Sequence, residues 1–91
     1  MQFALAGGYH RCPAARKFMV NLHKPEPCRL VREPENKYDP NAIKVMVSGD
    51  LHIGYVPEHQ TELFKDFSEG FVCPLNSMYS IYQPVVRVLK E

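Results

Sequence analysis

The stretch Leu30-Val31-Arg32-Glu33-Pro34-Glu35-Asn36-Lys37-Tyr38-Asp39-Pro40-Asn41-Ala42-Ile43-Lys44-Val45 decides the fold. Two strand-like runs flank a polar turn dense in Pro, Asn and Asp, residues that preset turn dihedrals or hydrogen-bond back to their own backbone. A simple chain reversal needs far fewer residues. The segment is therefore either an elaborate structural corner or a small polar site built around Tyr38-Asp39. A tyrosine in so polar a turn either folds back onto the core or displays its ring.

Downstream, residues 42–47 form the clearest strand, with Ile43, Val45 and Val47 alternating onto the core face. Ser48-Gly49-Asp50 is a hairpin turn, and residues 51–56 return as the paired strand. Pro57 then opens a short helix running to about Ser68, since proline suits a first helical turn. Leu63, Phe64 and Phe67 supply its buried stripe, Glu58, Glu62, Asp66 and Glu69 its solvent face, and Gly70 its C-cap. A last β segment spans residues 78–89, where Pro84 calls for an edge or bulge position.

Upstream, residues 29–32 form a strand stopped by Pro34, preceded by an irregular connection at Pro25 and Pro27. Residues 18–22 (Phe-Met-Val-Asn-Leu) read as another strand, 9–17 as a basic loop, and 2–6 as a first strand ending at Gly7-Gly8. Six short strands and one helix predict a mostly β chain with one or two short helices. The expected form is a small, twisted, partly closed β-barrel of OB-like or SH3-like plan.

The length, 91 residues, suits one domain covering residues 1–91, with a modest core. No apolar run approaches the roughly 20 residues of a membrane span, so no membrane partner is expected. The opening segment lacks a basic region and meets glycines at once, unlike a signal peptide. Cys12, Cys28 and Cys73 are odd in number and contain no CxxC pair, which points to free thiols in a reducing cytoplasm. Net charge is only +1, but residues 1–44 hold eight Lys or Arg against four acids, and residues 45–91 three against six. The N-terminal half is thus expected to build a basic face.

No enzyme is indicated. The serines lack a GxSxG context, Cys28 is a lone thiol beside Arg29, and His52 and His59 have no supporting carboxylate spacing for a metal. No cofactor is expected. Asn36 and Asn41 read first as turn-builders, because Asx side chains accept nearby backbone N–H bonds, and the same role is open to Asp39. Tyr38, if displayed, offers a stacking face for a base, and an adjacent carboxylate accepts a hydrogen bond from a hydroxyl while repelling phosphate.

The segment 30–45, followed by Ile53-Gly54-Tyr55-Val56-Pro57, resembles the HIRAN domain family: an apolar strand, Arg-Glu-Pro-x-Asn-x-Tyr-Asp-x-Asn-Ala-Ile-x-Val, and an apolar-Gly-aromatic-apolar-Pro return. The first strand with its glycines, Leu5-Ala6-Gly7-Gly8-Tyr9-His10, is similar to the family's flanking element. The resemblance implies a modified OB-like barrel that recognises the 3′ end of single-stranded DNA. It further implies that Tyr38 stacks, that Asp39 meets the terminal hydroxyl, and that Tyr9 or His10 is the second aromatic. Phosphate contacts would come from Arg11, Arg16, Lys17 or Lys37. Where family members can carry basic or histidine side chains after the glycine, this chain has Tyr55, able to stack or donate a hydrogen bond, and then Glu58.

The expected role is non-enzymatic capture of single-stranded DNA 3′-hydroxyl ends in DNA repair, replication or phage-host DNA metabolism. A separate helicase, nuclease or other DNA-metabolism protein is the expected partner, in a bacterial or phage-encoded cytoplasmic setting. The alternative is a protein-interaction adaptor that keeps the fold without end binding, in line with the near-neutral charge, the acidic helix and the prolines at 25 and 27.

Overall fold

The computed structural model describes residues 1–77 and 80–88. Six strands form one antiparallel sheet: β1 (Gln2–Ala4), β2 (Glu26–Arg32), β3 (Ile43–Val47), β4 (Leu51–Tyr55), β5 (Glu69–Ser77) and β6 (Ser80–Val88). Their spatial order is β1-β6-β5-β2-β3-β4. Among the described residues the helices are α1 (Pro13–Val20) and the single-turn α2 (Thr61–Phe64), with 3₁₀ turns at Gly8–His10 and Glu58–Gln60. The fold is a curled half-barrel. Among the described residues no helix is long and apolar enough to cross a membrane.

The hairpin β3–β4 forms where alternation and turn residues place it, and Ile43, Val45 and Val47 are buried as the alternation requires. They join Leu30, Ile53, Val72, Val86 and Val88 from the sheet, with Ala15 and Met19 of α1 and Phe64 of α2, in one core. Phe3 of β1 meets Phe64 of α2 edge to face at 4.8 Å, which ties the two elements together. Between Val45 and Met46 the ladder to β4 slips past Ile53, a bulge that sharpens the local twist.

That twist brings the two edge strands together. Beyond β1, the Ala6 N–H donates to the Tyr55 carbonyl at 2.9 Å, and the Tyr55 N–H donates to the Ala6 carbonyl at 2.8 Å. The approach needs Gly54, because a Cβ there would lie 2.7 Å from both the Ala6 carbonyl oxygen and Leu5 Cγ.

Several expectations are corrected. Residues 9–17 are not a loop, nor 18–22 a strand: Pro13 starts a helix that continues through Ala14, Ala15, Arg16 and Lys17, all good helix formers. Ala15, Phe18, Met19 and Leu22 recur at helical spacing and pack on the core, a period hidden by the strand-like Phe-Met-Val run. The prolines at 25 and 27 do not hold the chain out of the sheet, since β2 begins at Glu26. Pro27 pairs with Phe71 of β5, and the ladder to β3 covers only Arg29–Arg32, so Pro27 needs a neighbour on one side alone.

The helix after Pro57 ends at Phe64, and Leu63 is exposed rather than buried, because a single turn buries only Thr61 and Phe64. Gly70 is no C-cap. It lies in β5 opposite Val88, where an added Cβ would strike the Arg87 carbonyl. The strand β5 was unforeseen. Pro84 does sit at a slip in the β5–β6 register, opposite Asn76. The outer ends of the expected last segment, Met78 and Leu89, lie outside the described residues.

Gly54→Ala is expected to destabilise the protein by about 1–3 kcal/mol, the usual cost of overpacking a closed site. Urea denaturation of the two proteins measures this, and an unchanged midpoint would mean that the β1–β4 closure tolerates a side chain.

Candidate functional site

The closure places three segments side by side: the Gly7–Arg11 turn after β1, the end of β4, and the 33–42 corner. A cavity of about 330 Å³ opens between them, lined by Ala6, Gly7, Asn36, Tyr38, Asp39, Ala42, Tyr55, Val56 and Glu58. Gly7 forms its floor with φ +73°, a left-handed conformation that side chains rarely adopt. A second cavity of about 320 Å³ shares Gly7 and continues over Gly8, Tyr9, His10 and Gln83.

The corner is held by its own side chains. Asn36 Oδ1 accepts the N–H groups of Tyr38 at 2.9 Å and Asp39 at 3.0 Å, and Asp39 Oδ1 accepts the Asn41 N–H at 2.9 Å. Asn36 is thus a turn-builder as expected and Asp39 takes that role too, while Asn41, expected to build the turn with its side chain, takes part through its backbone N–H. The Ala42 N–H donates to the Asp39 carbonyl and the Glu33 N–H to the Ala42 carbonyl, closing the base of the corner. None of these bonds involves the Tyr38 ring. It is 97 % exposed, so the corner displays it rather than folding it back.

Glu33 connects the corner to β4 and β3. Its Oε1 accepts Asn36 Nδ2 at 2.6 Å and the Tyr55 hydroxyl at 3.0 Å, while Oε2 lies 3.7 Å from Lys44 Nζ. The Asn36 bond does most to hold the Glu33 carboxyl below the usual carboxylate range; burial pushes back, and Tyr55, Lys44 and His52 add to the lowering. Tyr55 is raised above the usual phenol range by burial and by its bond to Glu33.

His52, weighed in the sequence only as a metal ligand, packs beside the site instead. Its ring meets the Tyr55 ring edge to face at 4.7 Å, and its Nε2 lies 2.9 Å from the Gly54 carbonyl oxygen. A carbonyl only accepts, so Nε2 carries the proton. Burial first, then Arg11 and Lys44, lower its pKa, which keeps the imidazole neutral near pH 7. Arg11 Nε donates to the His52 carbonyl at 3.1 Å, so the guanidinium is anchored beside the site by one edge.

The expected site residues thus divide. Tyr38, Asp39 and Tyr55 line one cavity, Tyr9 and His10 the adjoining one. Tyr9 is exposed and packs edge to face on His10 at 5.5 Å and on Tyr82 at 5.6 Å. Lys37 and Lys17 are exposed, the latter on α1, and line neither cavity. Glu58 lines the same cavity as Asp39, and among the described residues no Lys or Arg lines it. Gly7, Asn36 and Ala42 join the lining without having been singled out as site residues. A larger cavity of about 460 Å³, lined by Phe18, Pro27, Met46 and Phe71 among others, opens where β2 and β3 splay apart and contains none of these groups.

Against known proteins, a family model described as the HIRAN domain matches residues 2–86. The crystal structure of the HIRAN domain of human HLTF is similar over 97 % of this chain and 71 % of that one, with a TM-score of 0.68 and 18 % sequence identity. At that identity the likeness is one of fold. No curated protein matches the chain.

Because folding lowers the Glu33 pKa, its ionised carboxylate contributes stability that is full above its unfolded value, about 4.3, and is lost as pH falls through the lower folded value. The stability difference between the wild type and Glu33→Gln should therefore be largest near neutrality and shrink as acid protonates Glu33. Denaturation midpoints across that acid range measure it, and a difference independent of pH would contradict the network.

Proposed function

The chain belongs to the HIRAN domain family, whose domains bind DNA and are not themselves catalytic, and we propose that it captures the 3′-hydroxyl end of a DNA single strand. One observation carries this reading. Tyr38 is almost fully exposed next to Asp39, and the two line a cavity together with Tyr55.

Tyr38 stacks on a terminal base, and Tyr9 or His10 receives a base in the adjoining cavity. One Asp39 oxygen is engaged by the Asn41 N–H; the other has no protein partner among the described residues and accepts the terminal 3′-hydroxyl. A carboxylate in a cavity that no Lys or Arg lines among the described residues disfavours a phosphate there, so a continued or phosphorylated strand is rejected. Glu58 in the same lining adds to this rejection. The preceding phosphates lie outside the cavity, where Arg11, Lys37 and Lys17 meet them. The protein then acts at strand ends in repair, replication or phage-host DNA metabolism, delivering them to a separate helicase, nuclease or similar partner.

A protein-interaction role is the second reading, favoured by the cavity at Pro27 and Phe71 and by the exposure of Phe71. Equal absence of binding to every oligonucleotide at low salt would select it.

Fluorescence anisotropy with single strands ending in a 3′-hydroxyl, a 3′-phosphate or a closed hairpin tests the end-binding proposal. The 3′-hydroxyl strand should bind tightest, and Asp39→Ala should remove the preference. Tyr38→Ala should weaken binding by about 5- to 150-fold, the equivalent of about 1–3 kcal/mol for one stacked base. With up to three phosphate contacts, log affinity should fall against log salt with a slope of about −2. Equal affinity for all three ligands would defeat end recognition.

A further inference from the structure

We infer that Glu33 is a positioning residue for strand-end recognition, setting the distance between the Tyr38-Asp39 corner and the Tyr55 wall. The inference rests on the end-binding reading and names the residue that controls its selectivity.

Glu33 is not itself among the described residues that line the cavity. It acts through two groups that do line the cavity. Oε1 accepts from Asn36 Nδ2 on one side and from the Tyr55 hydroxyl on the other, at 2.6 and 3.0 Å. Asn36 then uses its remaining oxygen to hold the N–H groups of both Tyr38 and Asp39. One carboxylate oxygen therefore sits at the head of a relay: Tyr55 to Glu33, Glu33 to Asn36, Asn36 to the two residues that meet the strand end.

The bonds fix orientation as well as position. An Asn amide can turn over, exchanging its oxygen and nitrogen. A carboxylate accepts only, so it selects the amide orientation that presents NH₂ to Glu33 and leaves the oxygen facing the Tyr38 and Asp39 amides. Lys44 on β3, 3.7 Å from Oε2, holds the second oxygen and keeps Oε1 turned toward the relay. Bonds to an ionised acceptor are stronger than neutral ones, which suits Glu33 to its place at the head of the relay.

A merely structural corner residue and a positioning residue differ in one readout. The first, when removed, weakens all ligands alike or lowers stability alone. The second changes the ratio of affinities for 3′-hydroxyl and 3′-phosphate ends, because that ratio depends on where the Asp39 carboxylate stands.

The test compares wild type, Glu33→Ala, Glu33→Gln and Tyr55→Phe, each first shown to be folded by circular dichroism. Two measurements are made: the hydroxyl-to-phosphate affinity ratio for a short single-stranded oligonucleotide, and amide hydrogen exchange at Tyr38 and Asp39 without DNA. Glu33→Ala should reduce the ratio about tenfold or more and speed exchange at those two amides by a similar factor, with β3 amides unchanged. Glu33→Gln, which keeps one accepting oxygen, should fall between. Tyr55→Phe, which removes one donor and should leave the fold intact, should lower the ratio in the same direction and serves if Glu33→Ala does not fold.

A ratio unchanged in folded Glu33→Ala and in Tyr55→Phe overturns the inference while leaving end binding in place. A wild type with no hydroxyl preference removes end recognition itself, and the role of Glu33 in it with that.

Discussion

The reciprocal pair of hydrogen bonds between Ala6 and Tyr55 closes the sheet, and the candidate site exists because of it. Neither residue is chemically special. The pairing depends on a backbone approach that Gly54 permits and on the extra twist from the bulge at Val45 and Met46. Each bond contributes only about 0.5–1.5 kcal/mol net, yet the two join the first and last strands in the sheet order. Without that contact Gly7 would not lie beside Tyr55, and neither cavity would have its shared floor.

On this frame the corner 33–42 satisfies its backbone locally, through Asn36, Asp39 and Glu33, so that one aromatic ring can be left in solvent. Displaying Tyr38 forgoes the stabilisation its ring would gain by burial, a loss that a purely structural turn has no reason to accept. The electrostatics point the same way. The cations near the site are set back: Lys44 is engaged by Glu33, and Arg11 is anchored on the His52 carbonyl. The cavity itself presents carboxylates and aromatic faces. Such a lining suits a neutral, hydroxyl-bearing terminus with its phosphates trailing outward.

Legibility in the sequence followed the range of the interactions. The β3–β4 hairpin, the Asx turns and the Tyr38-Asp39 pair were readable because each is encoded within a few residues, and the family resemblance rested on the same stretch. The helix α1 was not, because Phe18-Met19-Val20 fits a strand as well as a helix and only the wider spacing of Ala15, Met19 and Leu22 separates them. Strand β5 is hidden because Leu63, Phe64 and Phe67 also fit a longer helix and Gly70 fits its end. Six strands were expected and six are present among the described residues, but the one expected at residues 18–22 is absent and β5 makes up the number. In the site, the Glu33–Tyr55 bond spans 22 positions and the Arg11–His52 bond spans 41, so no local pattern announced either. Those are the contacts that assemble the cavity from separate segments.

The most direct test of the central claim, that the closed edge and the corner together form the strand-end site, is an NMR titration of the labelled protein with a short single strand bearing a 3′-hydroxyl. The account predicts chemical-shift changes concentrated at Gly7, Tyr9, Asn36, Tyr38, Asp39 and Tyr55, with the opposite cavity at Pro27, Met46 and Phe71 unaffected. Changes centred on that second cavity, or spread evenly over the exposed lysines and arginines, would contradict it.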